Sequence, residues 1–531
     1  MTTKPTPVKS TSSQDANWLL AVLATVAVLA LHLYFLNHVG GLWRDEVNSL
    51  NLARGQLQNI TQDSFPALFP LLLRGWSRIG LGQSDFFVRC FGVLLGIGLT
   101  FVFWIAAWWT RRAPPLWSLA LVALNAWVIY YAASLRAYGL GSALIALCAA
   151  AAWRFIQKPE TKSWLLFATL AVLSVQTLYQ NSALVGAICA GACGVLLRQG
   201  KFKPAAALLL AGLTAAISLL PYLRTIAGIA QGASPLRMDF DHVIALNHLN
   251  TLLAYPLPVL FWGWIGLTGY VFLRAAAGYF IKRSDDRFWF AAVTMSVGAV
   301  AFWIFLRLAN FPVQPWYFLP PVALAAVCLD ATLPRPAGKL RAPLFGALAA
   351  LMLISALFAV QILSVRFTNV DLAARKISAL ADKKDFVVVT PWQVGITFAH
   401  YFNGVCGWST VPPMADHTAH RFDLIQLQMA NTNAMQPVLE HIAETLRAGG
   451  TVWVVGGINE TGETNFPASP PPPPLPSSGW NETPYRITWN NQLGWLLHQN
   501  ATNIEDFKRL TPQEVGDNEP ITLEKVTGWK N

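Results

Sequence analysis

Charge is what this sequence lacks. Of its 531 residues only 12% are Asp, Glu, Lys or Arg, about half the share of an ordinary soluble protein. Cysteine is also scarce. Of the 6 cysteines, Cys90, Cys148, Cys189, Cys193 and Cys328 lie in or beside apolar runs and only Cys406 stands elsewhere, which excludes a disulfide framework. There is no arginine-rich arm, zinc-finger spacing or aromatic RNA-binding motif, so the net charge of +11 does not point to nucleic acid as a partner. Glycines with phosphate-binding spacing before a helix are missing too. Gly449-Gly450 and Gly456-Gly457 bracket an apolar strand pattern instead, which argues against a nucleotide-using enzyme.

What the chain has is apolar sequence, 54% of it, in clusters. Runs near 18–36, 91–109, 116–133, 139–154, 164–179, 182–197, 204–222, 256–273, 289–306, 317–332 and 342–361 approach the ~17–25 residues that span a bilayer core. They predict a polytopic α-helical membrane protein with about eleven transmembrane helices. No small-residue cleavage site follows the first run, which reads as an anchor helix. Basic residues collect in alternate loops: Arg111 and Arg112; Arg154, Lys158 and Lys162; Arg198, Lys201 and Lys203; Arg274, Lys282, Arg283 and Arg287; Arg335, Lys339 and Arg341. The positive-inside rule makes that side, with residues 1–17, cytoplasmic. The first outer loop, 37–90, and the tail, 362–531, then face outward.

Within the first loop, DSFPALFPLLLRGWSRIG reads as an amphipathic helix lying in the interface. In the tail, VDLAARKISALADKK and MQPVLEHIAETLRAGG read as helices and DFVVVTP and TVWVVGG as strands, an extracytoplasmic α/β domain. FPASPPPPPLPSSG, 466–479, reads as a solvent-exposed proline-rich loop.

The remaining charges gather at the outer margin. GLWRDEVNSLNLARG places Arg44, Asp45 and Glu46 just after the first span. Adjacent carboxylates suit an ordinary first helical turn. Charges at a membrane margin also mark functional sites, and neighbours on a helix face different ways, so one is expected toward a cavity and the other toward a partner. YYAASLRAYGL holds Tyr130, Tyr131, Arg136 and Tyr138, an arginine among phenols, either snorkelling or suited to an anionic headgroup. LRMDFDHVIALNHLN offers Arg237, Asp239, Asp241, His242 and His248 without a recognised metal spacing. Arg307 precedes PWYFLPP with Trp316 and Tyr317. A carboxylate, arginines and aromatic faces on one side of a membrane suit sugar transfer: the carboxylate takes a proton from an acceptor hydroxyl, and cations stabilise a departing phosphate. A transporter or flippase is the alternative; it predicts charges at mid-span and repeated halves. A third reading is an inactive scaffold that presents the tail.

Four stretches in order resemble the lipid-linked GT-C glycosyltransferases, particularly bacterial relatives of the protein O-mannosyltransferases (family 39) and of the lipid A aminoarabinose transferase. They are WRDEVNSLNLARG, DSFPALFPLLLRGWSRIGLGQSDFFVRCFGVLLG, YYAASLRAYGL and PWYFLPPVALA. The resemblance covers about 17–330 and implies a GT-C fold. It implies Asp45 as the catalytic carboxylate with Glu46 supporting it, and Arg136 and Tyr138 beside the lipid phosphate; Arg237 and Arg307, from the other outer-side clusters, are the next phosphate candidates. Arg44, Asp63, Tyr131, Trp316 and Tyr317 complete the expected substrate site. The donor implied is a polyprenyl-phosphate sugar; the acceptor is a protein, lipid or polysaccharide hydroxyl. No cofactor is required by such chemistry, although some members of the wider class bind a divalent metal. The sequence departs from the family pattern at Phe65, Ala67, Ser134 and Gln180.

Overall fold

The computed structural model describes residues 11–56, 65–225, 240–280, 285–309, 312–334, 341–459, 465–472, 481–507 and 509–530. The chain forms a helical bundle followed by an α/β tail. Helix α1, Thr11–His38, leads through the turn at Gly40 into α2, Arg44–Arg54. Gly40 has φ 76°, and a Cβ there would lie 2.5 Å from Cζ of Arg366, so the tight approach of turn and tail needs glycine. Helix α3, Leu68–Trp76, continues into a π turn at Ser77–Leu81, and α4, Asp85–Arg111, returns through the bundle.

Among the described residues eight helices are long and apolar enough to cross a membrane, not eleven: Asp15–His38, Asp85–Arg111, Tyr138–Gln157, Asn181–Arg198, Phe202–Thr225, Val259–Gly278, Asp286–Ala309 and Ala342–Leu363. The other three apolar runs form broken or short helices. The run at 116–133 splits into Leu116–Ser118, a π turn at Leu119–Ala123, and Ala126–Ala132. Asn125 makes the break: its Oδ1 accepts from the backbone N–H of Trp127 at 3.0 Å, and its Nδ2 donates to Leu252 O at 2.7 Å. Thr161–Val175 has 15 residues, and Leu319–Thr332 has 14 behind a 3-10 turn at Pro315–Phe318. Run length counts apolar residues but does not register a capping asparagine or a proline pair that fixes where a helix starts.

At the centre, Tyr138–Gln157 packs against Asp85–Arg111, Thr161–Val175 and Leu319–Thr332. Its Ala149, Ala150, Ala151 and Ala152 are buried. Small side chains let backbones approach closely where lipid removes the hydrophobic drive between helices. Outward-facing residues such as Leu209, Leu210 and Leu213 stay exposed, as a lipid-facing surface should.

The tail carries a five-stranded sheet in the order β3-β2-β4-β7-β5, made of β2 Phe386–Val389, β3 Gly407–Thr410, β4 Thr451–Val455, β5 Ala501–Asp506 and β7 Leu523–Trp529. The first three are parallel, and β7 runs antiparallel to both its neighbours. Val387, Val388 and Val389 are fully buried, because helices cover both faces. Helix Gln436–Arg447 ends at Gly449, φ 73°, a left-handed cap. Two short strands, β1 Arg366–Thr368 and β6 Val515–Glu519, pair in parallel beside α1. In the described part of the proline-rich loop, Pro467 O accepts from Gln492 Nε2 at 2.8 Å, so that end is tied to the tail.

The first loop and the tail share one side of the bundle. Leu42 N–H donates to the Tyr401 hydroxyl at 2.6 Å, Phe367 N–H to Val39 O at 2.9 Å, and Gln513 Nε2 to His38 O at 2.7 Å. Arg111, hydrogen-bonded to Leu333 O, Arg154 and Arg198 occupy the opposite end.

Candidate active site

The two carboxylates of α2 point apart. Glu46 is fully buried, and the Arg89 guanidinium of α4 grips it, Nη1 to Oε1 at 3.0 Å and Nη2 to Oε2 at 2.9 Å. The backbone N–H of Leu135 adds a third bond to Oε1 at 2.8 Å, and Arg89 also holds the carbonyls of Gly40 and Gly41. Burial pushes the Glu46 carboxyl up, against the pull of Arg89 and Leu135. The pair welds the α1–α2 turn to α4 and to the Ser134–Arg136 segment. Glu46 does not line the cavity; its bonds hold the scaffold around Asp45, the supporting place expected of it.

Asp45 lies at the wall of a cavity of about 1900 Å³ between the bundle and the tail. Arg136 Nη2 stands 3.5 Å from its Oδ2, while Arg136 Nη1 donates to Asp45 O at 3.0 Å and to Ser49 Oγ at 2.9 Å. Arg44 Nε is 3.9 Å from Oδ1. From the tail, His420 Nε2 stands 3.2 Å from the same oxygen; a carboxylate only accepts, so Nε2 carries the hydrogen. Burial opposes ionisation of Asp45, but Arg136, His420 and Arg44 together outweigh it and hold the carboxyl well below the usual range.

The tail segment that brings His420 is fastened to α2 twice more: His420 N–H donates to Asn48 Oδ1 at 3.1 Å and Asn51 Nδ2 to Thr418 O at 2.9 Å. Phe65 presents its ring to the Arg136 guanidinium at 4.4 Å. Tyr131, Tyr138, Trp316 and Tyr317 all line the cavity as one aromatic cluster, with Tyr131–Trp316 centroids 5.4 Å apart and Tyr138–Tyr317 6.1 Å.

Other expected residues fall differently. Arg307 is exposed on the far face of its helix; its neighbours Phe305, Leu306, Leu308 and Ala309 line the cavity and it does not. Asp63 and Arg237 lie outside the described residues. Asp241 caps the helix His242–Leu253, and His242 accepts from Trp303 Nε1 at 3.2 Å. Among the described residues no group of three His, Cys, Asp or Glu is placed to hold a metal ion. Sequence reasoning missed Arg89 and His420. A lone arginine in DFFVRCFG carries the same margin signal as Arg136 and was legible by that logic. His420 sits in an irregular loop with no periodicity and 375 positions from Asp45.

No protein-family model matches the chain, and no curated protein matches it in sequence. Solved structures do. The crystal structure of ArnT from Cupriavidus metallidurans bound to undecaprenyl phosphate superposes with a TM-score of 0.54 at 12% identity, over 82% of this chain and 92% of that one. The fold is GT-C-like. The apo state of the same ArnT gives 0.53 at 12% identity, over 84% and 93%. AglB from Archaeoglobus fulgidus, an archaeal oligosaccharyltransferase in complex with an inhibitory peptide and a dolichol-phosphate, gives 0.47 at 13%, over 82% and 69%. Within the GT-C-like fold, the Asp45 cavity sits where bundle and tail meet.

Proposed function

We propose that this chain is a membrane glycosyltransferase that moves a sugar from a polyprenyl-phosphate donor to an acceptor hydroxyl, in the cavity between bundle and tail. The observation that carries this reading is Asp45: a carboxylate, 19% exposed, that Arg136 and His420 favour in its charged form on the wall of a chamber lined by both bundle and tail. The undecaprenyl phosphate bound by ArnT supports the donor class. Leu178, Leu219, Phe305 and Leu306 on the bundle wall suit an isoprenoid, and the Tyr131–Trp316 cluster offers faces to a sugar.

In the reaction, the acceptor oxygen bonds to the anomeric carbon as the carbon–oxygen bond to phosphate breaks. The polyprenyl phosphate leaves with the electron pair. Asp45 takes the acceptor proton. A carboxylate held this acidic accepts it late, when the hydroxyl has almost lost it; until then its charge faces the carbon that turns positive. Arg136 both keeps Asp45 ionised and stands at the cavity wall beside the leaving phosphate. Tyr138 is placed with it.

The site faces the outside of the inner membrane: Arg111, Arg154 and Arg198 mark the other end as cytoplasmic, and the N-terminus belongs with them. The acceptor arrives on the tail side. A transporter needs a path to both ends, whereas the cavity is lined by residues from the tail end alone.

The test is transfer of labelled sugar from polyprenyl phosphate by purified protein, beside a donor-binding assay. Asp45→Asn should keep donor affinity and lose roughly 10²–10⁴ in transfer rate. Full transfer by this variant would sink the reading.

A further inference from the structure

A second, smaller cavity of about 330 Å³ lies beside the first, where α2 ends against α3 and the π turn. Arg54, Arg74, Arg78, Ser77 and Gly82 line it, and among the described residues no carboxylate does. Three guanidiniums around one small space repel each other. Arg54 donates to Gly82 O, and Arg74 Nη1 to Gly55 O at 2.8 Å. These carbonyls fix the two side chains in place but use only part of their five donors each. The Ser77 hydroxyl is buried with no hydrogen-bond partner.

The backbone is shaped around this space. The π turn Ser77–Leu81 includes Gly80 at φ 90°, and such turns recur at functional sites. A Cβ on Gly82 would lie 2.7 Å from Cβ of Ser77, so only glycine lets the chain close the cavity here. The surroundings are apolar and open: Leu71, Leu72 and Ile79 are 45%, 42% and 70% exposed. Arginines at headgroup height beside uncovered leucines are the two halves of a lipid site, phosphate on the forks and chain on the apolar face.

We propose that this cavity binds a lipid-borne phosphate, separately from the donor in the large cavity. Arg54 lines both cavities, so the second site shares a wall with the first. The proposal rests on the cavity and the three guanidiniums that line it, and stands or falls apart from sugar transfer.

Native mass spectrometry of the full chain in a phosphate-free maltoside detergent, titrated with phosphatidylglycerol, reads it directly. Wild type should hold one more phosphatidylglycerol than Arg74→Ala/Arg78→Ala, with the affinity of that molecule falling about tenfold or more in the variant. Arg74→Lys/Arg78→Lys keeps the charge, loses the planar fork and should fall between them. Arg78 is exposed, so the single Arg78→Ala variant serves if the double one does not fold. Equal occupancy in wild type and variants overturns the proposal. Polyprenyl phosphate displacing that phosphatidylglycerol assigns the site to the donor's own lipid, and failure to displace it assigns the site to membrane phospholipid; both keep a lipid-borne phosphate. Inorganic phosphate displacing it as well as either lipid overturns the lipid part.

Discussion

The large cavity has two walls of opposite character. The bundle wall is apolar and aromatic, with Leu178, Leu219, Leu306 and Trp316; the tail wall carries Gln393, Asp416, His420, Arg421, Asp423 and Arg486. The tail's charges are largely matched among themselves: Arg421 Nε donates to Asp423 Oδ1 at 2.9 Å, and its Nη1 pairs with Asp416. They make a polar surface without cancelling Asp45, which takes its partners from both walls, the Arg136 guanidinium from one and the His420 Nε2–H from the other. One chamber thus has an apolar and a polar side, and Asp45 sits where the two meet.

The largest break in that arrangement is Asp45→Asn, with its 10²–10⁴-fold loss of transfer at unchanged donor binding. Because the carboxyl is held below its usual range, wild-type activity should persist on the acid side, past the pH at which an ordinary aspartate protonates. A kcat–pH profile that falls through pH 4–5 with donor binding intact would contradict this.

Next comes Arg89→Ala. It leaves Glu46 buried without its partner, at a cost of about 3–5 kcal/mol. The loss should appear as a lowered Tm and poor yield. A variant as stable as wild type but inactive would move Glu46 and Arg89 from the scaffold into the chemistry.

His420→Ala removes the tail's hold on Asp45 Oδ1 and the ring contacts to Phe422 and Trp392, but keeps the bond to Asn48, which comes from the His420 backbone N–H. A drop in kcat of about tenfold is expected, the worth of one charge-assisted hydrogen bond, with donor KM unchanged and partial rescue by His420→Gln. A wild-type kcat would reduce the tail wall to a cover.

The smallest effect concerns Glu519 of β6, buried behind the site and accepting from Thr368 and Thr397 at 2.9 and 2.8 Å. Burial pushes its carboxyl from 4.5 up to about 7. As pH rises between those values the unfolded chain gives up this proton before the folded one, so stability declines. Its slope is at most about 1.4 kcal/mol per pH unit. Glu519→Gln should flatten Tm against pH across that window; an unaltered slope would refute the assignment.

Much of this architecture was legible because apolar run length and two-residue or helical periodicity are local. Tail helices Val370–Leu380 and Gln436–Arg447 and strands β2 and β4 fall inside the stretches read for them. Asp45 and Arg136 were legible by a different rule: a charge at a membrane margin needs a reason. Local reading fails where a single side chain decides. Asn125 breaks an apolar run by capping a helix inside it, and one helical step puts Arg307 outside the cavity that Leu306 lines. His420 depends on where a distant loop lands, and Glu46 on Arg89 reaching it across 43 positions.

The clamp between α2 and the loop around Thr418–His420 joins parts made far apart in time. Residue 45 leaves the ribosome and enters its membrane surroundings well before residue 420 exists. Throughout that interval α2 lacks the imidazole on Asp45 and the bonds at Asn48 and Asn51. The chamber acquires its second wall only after residues 418–420 have been made and the tail has folded, so a chain cut short before residue 416 has a bundle but no complete site.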